Sequence, residues 1–163
     1  MKTLRWLLLV LIVLVAGTIA YLMLKPSAVV ELPNRIGSLQ QVRLLEGEKA
    51  DAILNQMHDK DVTPETNKIG MYSGAEGGAV VYLSVYNSDD DANAAFAQMT
   101  RSIEHGNLLF TGYRKVRFGK IDASFCVGQG QDHYFFVSGD RLYWLAADNV
   151  IAEKVVNELV GGL

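Results

Sequence analysis

Four side chains in this sequence are versatile enough to suggest a reaction: His58, His105, His133 and Cys126. Imidazole exchanges a proton near neutral pH and suits zinc or copper as a ligand. No two of the histidines stand at a ligand spacing along the chain, so the fold would have to assemble any site. Apolar periodicity puts His58 at the end of a first helix, His105 at the end of a second and His133 at the start of a strand. Two helices packed in the same direction on one sheet would bring His58 and His105 to one rim, with His133 beside them. Met57, Asp59 or Glu104 would then complete a ligand set or an acid–base pair. A competing explanation is equally physical. An imidazole in the last turn of a helix satisfies free carbonyls and the helix dipole without any ligand.

Cys126 lies in the apolar run Ile121–Val127 and reads as a small core residue, since a reactive thiol needs a basic or helix N-terminal setting. As the lone cysteine it excludes an intrachain disulfide. The run Asp89-Asp90-Asp91 follows Ser88 and suits the start of a helix, where Ser caps and carboxylates complement the dipole. Gly128-Gln129-Gly130-Gln131 contains a Gly-x-Gly, but it connects strand to strand, whereas a dinucleotide site needs a helix N-terminus behind its glycines. The chain holds no Walker loop, HExxH, CxxC, GxSxG or EF-hand loop, and no cofactor is expected.

Aromatic residues concentrate in the predicted strands: Tyr72, Tyr82, Tyr86, Tyr113, Tyr134, Phe135, Tyr143 and Trp144. If helices cover one sheet face, the other would present Tyr82, Tyr86, Tyr134 and Tyr143 among polar residues. Gln129 and Gln131 would add selectivity at its edge. Exposed aromatics on a sheet suit a binding or self-association surface, although a mixed Tyr face is also ordinary sheet chemistry.

The elements that must position these groups follow from period and punctuation. Ser38–Leu45 alternates as a strand, and Gly47 opens a helix with Ala50, Ile53, Leu54 and Met57 on one face. Residues 68–86 read as a hairpin around Gly74–Gly78, and the apolar character of both faces of its second strand predicts an interior position. Ser88 begins the next helix, striped by Ala92, Ala95, Phe96, Met99 and Ile103, and Gly106 ends it. Four strands follow, with turns at Gly119-Lys120 and Ser138–Asp140 and a flexible connection at Gly128–Gln131, then a helix from about Asn149 to Val160. The order β-α-β-β-α-β-β-β-β-α predicts an α+β domain, related to the ferredoxin-like fold, with a mainly antiparallel sheet and helices on one face.

Ahead of this domain, Trp6–Leu24 runs nineteen residues without charge or proline. A helix of that length reaches about 28 Å, close to the thickness of a bilayer core. Residues 1–25 are therefore expected to be a single-pass anchor, 26–35 a linker and 36–163 the soluble domain. Lys2 and Arg5 precede the span and Lys25 alone closely follows it, which favours a cytoplasmic N-terminus and a domain outside the cytoplasm. A cleaved signal peptide ending at Thr18-Ile19-Ala20 is the alternative, but Tyr21–Leu24 continue the apolar run past that site. Beyond residue 30, 12 Lys and Arg stand against 18 Asp and Glu, for a net charge of −6. An acidic domain of this kind disfavours nucleic acid as a partner.

The functional expectation is a membrane-anchored, non-enzymatic module that binds a partner protein, a small ligand or a copy of itself outside the cytoplasm. Its alternative is a metal-dependent or hydrolytic enzyme using His58, His105 and His133.

Overall fold

The computed structural model describes residues 31–57 and 64–163. The Trp6–Leu24 run and His58 lie outside the described residues, within which no helix is long and apolar enough to cross a membrane. Leu32–Leu163 cluster as one compact unit.

Eight strands make up the sheet: β1 (Arg35–Ile36), β2 (Leu39–Glu46), β3 (Thr66–Gly74), β4 (Gly77–Val85), β5 (Phe110–Phe118), β6 (Ile121–Gly128), β7 (Gln131–Ser138) and β8 (Arg141–Asp148). Three helices accompany them: α1 (Glu48–Met57), α2 (Asp89–Ile103) and α3 (Ala152–Gly161). The strands lie in the order β1-β2-β3-β4-β8-β7-β6-β5, and every neighbouring pair is antiparallel. The sheet curls into a half-barrel, so the domain is α+β.

Local chemistry explains the boundaries. Ser88 Oγ accepts from the Asp91 amide at 3.2 Å and donates to the Asp91 carboxylate at 2.6 Å, which closes the first turn of α2 reciprocally. Gln129 and Gly130 both adopt positive φ, 52° and 80°, as the two-residue β6–β7 turn requires. The interior position expected for the second hairpin strand is observed, since β4 pairs with β3 on one side and β8 on the other.

Two expectations are corrected. A ferredoxin-like unit places the strands before and after its first helix parallel, with another strand between them. Here β2 and β3 are immediate antiparallel neighbours, with Leu45 opposite Ile69. Alternation identifies a strand and its faces, but it does not choose the neighbour.

The helices also occupy both faces of the sheet. Ala50 and Ile53 of α1 pack with Ile69, Val80 and Tyr82. Tyr82 is the register partner of Trp144, and Trp144 is the partner of Phe135; both join Ile103, Phe96 and Met99 of α2. These side chains therefore share one face. Tyr134, Tyr143 and Leu145 alternate out of step with them and face the other way. That side is where α3 packs against β7, β8 and β1, with Glu153 close enough to Tyr134 to act on its ionisation. α3 carries its own apolar stripe, Ala152, Val155, Val156 and Leu159, all buried. Part of the stretch read as linker packs on the domain: Leu32 is buried, and the Pro33 carbonyl accepts from Tyr72 Oη at 2.8 Å.

Candidate functional rim

One rim of the sheet gathers four connections. The register pairs Gly74 with Gly77, Ala79 with Ala147, Asp148 with Gln131, Gln131 with Gly128, and Gly128 with Phe110. The β3–β4 turn, the β8–α3 turn, the β6–β7 turn and the α2–β5 loop thus stand side by side.

Under this rim His133 is buried with both ring nitrogens engaged. Its Nε2 lies 3.0 Å from the Gly128 carbonyl oxygen, and its Nδ1 lies 3.0 Å from the indole N–H of Trp144. The indole can only donate and the carbonyl can only accept, so the neutral ring carries its proton on Nε2. Burial holds the imidazole below its usual pKa, against the opposing pull of the Gly128 carbonyl and the Asp132 charge. Phe110 packs against the pair, edge-on to His133 at 5.1 Å and tilted to Trp144 at 5.3 Å between ring centres. His133 therefore holds the β6–β7 turn to the Trp144 layer.

Of the other candidate groups, Cys126 is the register partner of His133 on the neighbouring strand. His105 is exposed just beyond α2, 3.8 Å from the Glu104 carboxylate. Among the described residues, no group of three or more His, Cys, Asp or Glu side chains could hold a metal ion. Cys126 is fully buried and its thiol is pushed up to about 11 by burial, which leaves it unreactive at neutral pH.

The tyrosines do not form one open face. Tyr134 and Tyr143 are buried, on the side that α3 covers. Tyr82 is half-buried on the opposite side, in contact with the α1 cluster, and Tyr86 is half-buried just beyond the end of β4. Burial is the largest cause raising the phenol pKa of all four. Tyr82 on one face and Tyr134 and Tyr143 on the other therefore share no common surface.

Gln129 and Gln131 do lie on the rim. Gln129 is exposed at the turn, and Gln131 donates from Nε2 to Asp148 Oδ1 at 3.3 Å. Asp148 also accepts from the Gly78 amide at 2.8 Å, tying three of the four connections together.

Sequence reasoning missed the apolar tips of this rim. Leu108 has a relative exposure of 104 %, Val150 of 92 % and Leu109 of 59 %. Asn107 fixes the leucines: its Oδ1 accepts from the Leu109 and Phe110 amides, both at 2.8 Å, while its own amide donates to the Phe110 carbonyl at 3.0 Å. An Asx turn of this kind presents the two side chains outward on ordered backbone. The available signal was an Asn-Leu-Leu directly after the helix-ending Gly106. Across the rim, Leu109 and Val150 are separated by about three strand spacings, roughly 14 Å, with Gln129-Gly130 between them. Apolar tips flanking amide side chains suit contact with another macromolecular surface.

No protein-family model, no curated protein and no solved structure matches this chain.

Proposed function

We propose that the chain is a membrane-tethered binding module. Residues 6–24 anchor it as a single transmembrane helix, the N-terminus stays in the cytoplasm, and the α+β domain works outside it by binding a protein partner. The observation that carries this reading is the rim, where Leu108, Leu109 and Val150 stand in solvent on backbone that hydrogen bonds hold in place. Exposed aliphatic side chains held in order are a cost to a free surface and a gain to an interface. The anchor rests on the length and neutrality of Trp6–Leu24, and the orientation on Lys2 and Arg5 before it.

Cross-linking of the full-length chain in its native membrane, followed by mass spectrometry, tests the reading. The expected outcome is a specific protein cross-linked to the wild-type chain and lost from the Leu108→Ser/Leu109→Ser double variant, whose circular dichroism is unchanged. Capture of the same proteins by both chains would overturn the role of the rim. A cross-link between two copies, sensitive to the same substitutions, would assign the rim to self-association.

A further inference from the structure

Among the described residues β5 is the last strand of the sheet and is hydrogen-bonded on one side only, to β6. Thr111, Gly112, Arg114, Lys115 and Arg117 along it are exposed. Its register shifts between Thr111 and Arg114, and the regular part of the edge, Arg114–Phe118, is a template for another strand.

The edge is also the cationic part of an acidic domain. Arg114, Lys115 and Arg117 lie in β5 and Lys120 in the turn after it, against one carboxylate, Asp122, in the whole β5–β6 hairpin. The register places these cations on both faces. Lys115 and Arg117 stand opposite Ser124 and Asp122 on the α2 side, and Arg114 stands opposite Phe125 on the α3 side. Arg117 is partly neutralised by Asp122, at 2.6 Å. The Arg114 guanidinium carbon lies 3.5 Å from the centre of the Phe125 ring. Stacking engages the flat face of a guanidinium and leaves its N–H groups available in the plane.

These charges act as a filter. Pairing β5 with β5 of a second copy would set like charges across the new ladder, whereas an acidic strand would set opposite ones. Leu108 and Leu109, held by Asn107 immediately before the strand, offer apolar contact at one end of the same edge.

We propose that the β5 edge takes an extended acidic segment of a partner protein by strand addition, with Leu108 and Leu109 anchoring one end of that segment. This rests on the binding-module reading above and names the surface and the chemistry of the partner.

The test uses the full-length chain in nanodiscs of zwitterionic lipid and three fluorescent nine-residue peptides. One alternates Glu with Val, one alternates Lys with Val, and the third is the Glu peptide with every second amide N-methylated. The Glu peptide is expected to bind, the Lys peptide at least about tenfold more weakly, and the methylated peptide not measurably, since it lacks the donors of a ladder. Raising the salt from about 0.05 to about 0.5 M is expected to weaken the Glu peptide severalfold. Arg114→Glu with Lys115→Glu is expected to invert the preference between the Glu and Lys peptides.

Binding of neither peptide, equal binding of both, or binding that ignores N-methylation overturns the proposal. So does attachment to phosphatidylserine vesicles that depends on Lys115 and occurs without peptide binding. Photo-cross-linkers at position 115 and at position 150, compared in the native membrane, separate the two levels of inference. Partner capture at 150 but not at 115 keeps the binding module and removes the β5 edge, and capture at neither removes both.

Discussion

At one end of the sheet β1 is two residues long, its Ile36 is buried, and α3 packs against it. At the other end β5 runs nine residues, with Phe118 its one buried residue and cations along its second half. A sheet edge invites unwanted pairing, and proteins control it by shortening it, covering it or charging it. The first end is controlled by the shortness of β1 and by the helix that packs on it. The second is controlled by charge, which excludes only partners of the same sign. The difference teaches where an encounter can occur: an edge guarded by charge remains chemically open to its complement.

Three measurements would break or sharpen this contrast. The largest effect is expected at the covered end. Ile36→Asp places a lone carboxylate beneath α3 and should cost on the order of 3–5 kcal/mol of stability. Val116→Asp, at a half-buried position of β5, should cost less than half as much in the same urea titration. Equal losses would mean that the two ends are not differently built.

Gly128→Ala should give an intermediate effect, and at the open end. A methyl group there would lie 2.5 Å from the Phe110 ring and 2.6 Å from the Leu109 carbonyl oxygen. Relief requires the α2–β5 loop to move, at about 1–3 kcal/mol. Amide exchange should quicken at residues 109–111 and stay unchanged in β1 and β2.

The smallest effect is expected from acid. His133 titrates below its usual pKa in the folded chain, so the unfolded chain binds the proton more readily. The stability that neutral His133 provides is fully present above the ordinary imidazole range and is lost progressively as pH falls below it. Protonation at Nδ1 would also turn an N–H toward the Trp144 N–H. Amides around Phe110 and Gly128 should lose protection on acidification before those of β1 and β2, and His133→Gln should flatten that difference.

Much of the skeleton was legible from the chain. The Ser88 cap, the Ala92–Ile103 stripe, the Gly119-Lys120 turn and the four strands from Phe110 onward were read close to where they stand. These depend on residues within a few positions of each other. The candidate site was legible only in fragments. Gln129 and Gln131 were placed at the edge of the tyrosine face and do lie on the rim, but of the tyrosines meant to lie with them Tyr134 and Tyr143 are buried on the α3 side and Tyr82 is half-buried on the other. His133 drew notice as a possible ligand, but its indole partner lies on the next strand, and nothing in the local sequence announces that bond.

By itself the sequence determined the number and kind of elements after residue 36, their caps and turns, the acidic balance of the domain and the presence of a long apolar run before it. Only the tertiary structure decided that β2 and β3 pair directly, that α3 takes the opposite face from α1 and α2, and that β5 with its cations is left at the end of the sheet. The physical reason is one of range. Period, capping and turn chemistry act over a few residues, while strand neighbours and helix faces are chosen by burial between segments far apart in the chain. Both faces of the central strands are apolar enough to accept a helix, so alternation alone could not say which face each helix would cover.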